Sequence, residues 1–202
     1  PNGQPLHTVE VLEEMISGVH YVLSVDPTFR GGVIKNHTAT HLLDQALRDV
    51  LGEHTHQAGS LVEPDYLRFD FTNLGQVTPD QLATVEKIVN EKIWAALPVN
   101  TVETDIETAK QMGAIALFTE KYGKTVRVVQ IGDYSMELCG GTHAANTADL
   151  GLFKITSESG IGAGTRRIEA VTSKAAFKYL NDKQALLNQL AGELKVAQTK
   201  DL

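Results

Sequence analysis

Four side chains in this 202-residue sequence have the types and spacing to hold a metal ion. His37 and His41 stand four apart, and Cys139 and His143 repeat that spacing far downstream. On a helix, residues four apart lie over one another on one face, so two imidazoles would be presented together. Alone, such a pair is weak evidence and reads more readily as two solvated histidines. Cys139 is the single cysteine of the chain, and a lone thiol is ordinarily a small buried hydrophobe. Gly140 and Gly141, however, let the backbone turn tightly between Cys139 and His143, as a two-ligand clip requires. Three imidazoles and one thiolate form a set suited to one zinc ion. His54 and His56 lack a third ligand, and His7 and His20 are isolated.

Four protein ligands close a tetrahedron and make an ion structural, whereas a hydrolytic zinc keeps one position for water. The helix glutamate that follows the first histidine in zinc metalloproteases is absent, because Thr38 stands there. Zinc-hydroxide chemistry therefore does not follow from the ligand set.

These residues need elements to position them. From Asn36, a natural N-cap, Ala39, Leu42, Leu43, Ala46, Leu47 and Val50 form an apolar helical stripe that Gly52 ends. At about 100° per residue the histidines lie roughly opposite that stripe, outside the core. Tyr66 to Thr72 alternates as a half-buried strand, with Leu67, Phe69 and Phe71 on one face. Thr78-Pro79-Asp80-Gln81 opens a helix with a capping box, and Pro98 stops it. Strands are expected at 7–11, 18–25, 99–106, 125–131, 152–158 and 166–172, with a loop around Pro27 and Gly31-Gly32 and a short helix near 107–112. Phe177, Leu180, Gln184, Leu187, Ala191 and Leu194 keep the spacing of an incipient coiled coil. The class is α+β: a mixed sheet with packed helices around the zinc site, because strands and helices do not alternate regularly.

Eighteen Lys and Arg against 25 Asp and Glu give a net charge of -7. That excludes a broad basic footprint for long nucleic acid but leaves room for local contact with a small RNA. There is no apolar run of membrane-spanning length and no signal-peptide pattern, so no membrane partner is expected and the cytoplasm is the expected location. The start on Pro1 and the end inside a charged run point to a piece of something longer.

Five separated stretches are similar to the editing domain of alanyl-tRNA synthetases: Asn-His-Thr-Ala-Thr-His-Leu-Leu (36–43), Gln-Ala-Gly-Ser-Leu-Val (57–62), Leu-Arg-Phe-Asp-Phe (67–71), Glu-Leu-Cys-Gly-Gly-Thr-His (137–143) and Gly-Thr-Arg-Arg-Ile-Glu-Ala-Val-Thr (164–172). The resemblance implies three parts: the end of a preceding β-barrel element at 1–30, a zinc-containing editing domain at 31–172, and the start of a helical linker at 173–202. It implies zinc at His37, His41, Cys139 and His143, and hydrolysis of Ser-tRNA(Ala) and Gly-tRNA(Ala) with Ala-tRNA(Ala) spared. Gln57 matches a glutamine used in editing, and Thr40 a threonine lining the amino-acid pocket. The implied partners are the acceptor end of tRNA(Ala) and the other domains of a parent synthetase, to which ATP binding would belong.

The residues are compatible with that chemistry. An aminoacyl ester is already activated, so a site must mainly hold the terminal adenosine, orient a water and stabilise the oxyanion. Backbone N–H groups at Gly140 and Gly141 are candidate oxyanion donors, with simple turn-shaping as the alternative. Arg166 or Arg167 can reach RNA phosphates, on opposite faces of a strand. Thr40 can line the pocket or bond back to its own helix. A free-standing alanyl-tRNA editing protein and a non-catalytic zinc-stabilised RNA-binding module both remain open.

Overall fold

A computed structural model of the chain describes residues 16–116 and 123–195, together with Glu10 and Glu14. The first helix, α1 (Pro27–Leu51), begins nine residues before the expected Asn36 cap. Asp26 is the real N-cap, its carboxylate accepting from the N–H groups of Thr28 and Phe29, with Pro27 at the first turn. The Gly31-Gly32 pair is thus helical rather than a loop. Gly32 has a packing role, since a Cβ there would collide with the backbone of Pro64. The expected strand at 18–25 does not form, and the one at 7–11 lies outside the described residues except for Glu10. No barrel-type strand precedes α1 among the described residues.

Asn36, displaced from its capping role, becomes a buried tie. Its Nδ2 donates to the carbonyls of Glu63 and Pro64, and its Oδ1 accepts from Thr172 Oγ1 at 2.7 Å. One side chain therefore links α1, the turn after β1 (Gln57–Val62) and the end of β7 (Thr165–Thr172). Asn36→Ala would strand these buried groups, and we expect a loss of about 2 kcal/mol in unfolding free energy by thermal or denaturant melting. An unchanged midpoint would mean that water replaces the amide.

The strands form two antiparallel sheets rather than one mixed sheet. The first runs in the order β1–β2–β7–β6, with β2 at Leu67–Thr72 and β6 at Phe153–Gly162; the second is β3 (Val99–Asp105), β4 (Thr125–Ile131) and β5 (Ser135–Leu138). Register pairs Leu67 with Ala170 and Phe69 with Ile168, and these residues join Leu42, Leu43, Ala46 and Leu47 of α1 in the main core. Helix α2 (Pro79–Trp94) starts with the expected capping box at Thr78 and Gln81. It completes that core with Val85, Val89 and Ile93. Short helix α3 (Ile106–Gln111) covers the small sheet through Ala109.

Helix α1 is buried nearly all round from Thr38 to Asp44, because α2 and the large sheet pack on one side and β5 on another. This corrects the expected solvent-facing position of the histidines: His41 is buried. Helix α4 (Ser173–Glu193) starts where the helical tail was expected. It docks through Ala176, while Phe177, Leu180, Leu187 and Leu194 stay exposed. No helix among the described residues is long and apolar enough to cross a membrane.

Candidate metal centre

The four ligand candidates converge. One ligand atom from each of His37, His41, Cys139 and His143 lies within 4.8 Å of all the others. Two come from one face of α1. The other two come from the loop that leaves β5, which packs against α1. Cys139 Sγ is 3.4 Å from both His37 Nε2 and His143 Nε2. A thiolate and an imidazole on one tetrahedral zinc stand about 3.6 Å apart, given bonds of about 2.3 and 2.0–2.1 Å. The spacing fits.

An orphaned atom supports the same conclusion. His41 Nε2 is buried and meets no hydrogen-bond partner, a costly state for a polar atom unless something else occupies its lone pair. Its other nitrogen, Nδ1, is 2.7 Å from Glu137 Oε2. Charge points the same way. Burial would push the Cys139 thiol up, but hydrogen bonds from His143 and His37 and the charge of His41 bring it down to about 3, so it is a thiolate. Burial would lower His41, but the carboxylate of Glu137 and its neighbour Cys139 raise it to about 10. Burial keeps His143 below its ordinary value despite its bond to Cys139. Asp44, one turn from His41, is raised to about 6 by burial and by the charge of Glu137. A thiolate and a carboxylate gathered in a buried site are well matched to a divalent cation. The cluster can hold a metal ion.

The loop is held by Arg127 on β4. Its Nη1 donates to the carbonyls of Cys139 and Gly141, and its Nη2 to Thr101 Oγ1. Gly141 lies against the His37 ring, where a Cβ would overlap the imidazole, whereas a Cβ at Gly140 would meet open space. The Gly141 N–H donates to Cys139 Sγ, 3.4 Å away. Beside His143 a cleft of about 360 Å³ opens, with Gly31, Lys35 and Asp149 also on its walls.

The remaining candidates are not drawn into the cluster. Thr40 is buried and its hydroxyl donates to the Asn36 carbonyl at 2.9 Å, the back-bonded alternative. Gln57 opens β1 at the edge of the large sheet and donates to Ser60 Oγ. Arg166 forks onto Glu158 and Arg167 onto Asp70, each through two hydrogen bonds. Sequence reasoning missed Glu137, Thr38 and Arg127 as parts of the site. Glu137 alone left a trace, since it falls two residues before Cys139 and strand alternation puts both on one side.

Residues 126–169 match the family model described as the threonyl and alanyl tRNA synthetase second additional domain. That match takes in the loop ligands and leaves α1 outside. Over its whole length the chain is 94% identical to an alanine--tRNA ligase of Latilactobacillus sakei, and 67% identical to those of Pediococcus pentosaceus and Lactiplantibacillus plantarum. It spans 23% of the length of each of these curated relatives. With a metal-competent cluster split between α1 and the stretch that matches the second additional domain, the chain is similar from end to end to a part of alanine--tRNA ligases.

Proposed function

We propose that the chain is a zinc-dependent aminoacyl-tRNA deacylase module that hydrolyses Ser-tRNA(Ala) and Gly-tRNA(Ala), its residues 31–172 working in the cytoplasm as the editing domain of a larger ligase, between a preceding barrel element and a helical linker. The observation that carries this reading is the convergence of His37, His41, Cys139 and His143 beside an open cleft, in a chain matched end to end by alanine--tRNA ligases. One bound zinc would supply positive charge and a lock between α1 and the loop; with all four side chains as ligands it is an organiser.

The protein's own groups then do the positioning. The cleft beside His143 receives the aminoacyl end of the tRNA, and the Lys35 ammonium, which donates to Ser173 Oγ at 3.0 Å, has further hydrogens for a phosphate. Gln57 offers both a donor and an acceptor for a water or for the ester. The hydroxyl proton of Thr40 is held by Asn36, so Thr40 can offer a substrate hydroxyl only an accepting lone pair. Polar groups aimed at a hydroxyl reject the analogue lacking it far better than a pocket merely accommodates an extra group, which is how serine would be told from alanine. Arg166 or Arg167 would reach RNA only by exchanging its carboxylate partner.

The test is deacylation of Ser-tRNA(Ala) and Ala-tRNA(Ala) by the 202-residue chain, with and without chelator. Serine release that exceeds alanine release, is lost on metal removal, and is slowed by Gln57→Ala at unchanged metal content is expected. A metal-loaded chain that binds tRNA but releases no serine would leave a zinc-stabilised RNA-binding module as the function.

A further inference from the structure

Two imidazoles of the cluster are held from behind by groups that touch no other ligand. Behind His41 stands Glu137, a buried carboxylate. Its Oε1 accepts from Ser135 Oγ at 2.9 Å and its Oε2 lies 2.7 Å from His41 Nδ1. An ionised carboxylate only accepts, so a hydrogen belongs on Nδ1, and Nε2, which meets no hydrogen-bond partner, is the nitrogen that can give up its proton to a metal.

Behind His143 stands Thr38, fully buried on α1. A hydroxyl has one hydrogen to give, and Thr38 gives it to the Ile34 carbonyl at 3.0 Å. Its oxygen accepts from the Ala144 N–H at 3.0 Å and faces His143 Nδ1 at 3.3 Å. With its proton committed, Thr38 can only accept from that ring as well. The hydrogen again falls on Nδ1, and Nε2 is turned toward Cys139 Sγ, 3.4 Å away.

We propose that Glu137 and Thr38 are positioning residues that keep a hydrogen on Nδ1 of His41 and of His143 and aim both Nε2 atoms at one point, so that these are the ring nitrogens a metal takes. This rests on the metal-binding reading above. Ring nitrogens that bind metals are set by the hydrogen bond the opposite nitrogen makes, and such partners govern affinity. The inference also explains Thr38. Where a metalloprotease helix carries its glutamate, this helix carries a hydroxyl that orients a ligand arriving from another element.

The test is a zinc titration of the metal-stripped chain against a chromophoric chelator, for wild type, Glu137→Leu, Thr38→Val and their conservative counterparts Glu137→Gln and Thr38→Ser. Glu137→Leu and Thr38→Val are each expected to weaken zinc by about 10- to 100-fold. Gln and Ser, which keep an acceptor in place, should recover most of that loss. Nitrogen-15 NMR of the zinc-loaded wild type, independent of any variant's folding, should show Nδ1 protonated and Nε2 metal-bound on both rings. Metal-bound Nδ1 on either ring, or Leu and Val variants that bind zinc as wild type does, would overturn the inference alone. A wild type that takes up no zinc would overturn it together with the metal reading.

Discussion

Cys139→Ala is expected to abolish stoichiometric zinc binding by the chain. The substitution removes the thiolate that His37 and His143 both face at 3.4 Å, and leaves three imidazoles, one of them buried beside a carboxylate. The loss should exceed the roughly 10- to 100-fold that removal of an outer partner costs, because a direct ligand is gone. Metal content after gel filtration measures it, and equal zinc in variant and wild type would defeat the assignment. Stability should follow occupancy. At a free metal level of about 1,000 Kd, binding contributes about 4 kcal/mol. For a chain of this size that is a fall of about 10 °C in melting temperature on chelation.

The pH dependence of that binding has a definite sign. In the metal-free protein His41 is raised to about 10, so it holds a proton at neutral pH that a metal must displace. Cys139 at about 3 is already deprotonated. Binding at pH 7 should therefore release about one proton, and affinity should rise with pH, about tenfold per unit, until His41 itself titrates. Calorimetry in buffers of different ionisation enthalpy counts the proton. Release of none would mean that His41 stands neutral before metal arrives.

Gly141→Ala should come close to Cys139→Ala in severity, while Gly140→Ala should be nearly silent. The two glycines are adjacent, and neither has a positive φ, so backbone strain does not separate them. Space does. A methyl at Gly141 falls on the His37 ring, and one at Gly140 on open space. Overpacking of this kind costs about 1–3 kcal/mol, about 5- to 150-fold in affinity, and relief by swinging His37 away removes a ligand as well. Zinc titrations of the two variants side by side measure the contrast. Equal affinities would show that the loop yields freely, against the hold of Arg127 on its carbonyls.

The four-residue cluster that can hold a metal was legible in the sequence because it is written in local spacing. Four residues are one helical turn at His37 and His41, and a tight glycine turn at Cys139 and His143. The capping box of α2 and the alternation of β2 were legible for the same reason: each depends on neighbours along the chain. The start of α1 was misplaced because Asn36 has the right chemistry for a cap, and only the turn at Pro64 and the hydroxyl of Thr172 show why it is buried instead. A glycine pair reads as a loop until a second segment presses against it, as Pro64 does against Gly32. Strand β5 escaped because it has only four residues, and β1 because Gln-Ala-Gly-Ser-Leu-Val carries no apolar alternation; both owe their state to pairing, with β4 and β2. What tertiary structure alone decided is the outer half of the site. Glu137 reaches His41 across 96 residues and Thr38 reaches His143 across 105. No local periodicity encodes a hydrogen bond between residues that meet only because β5 packs against α1.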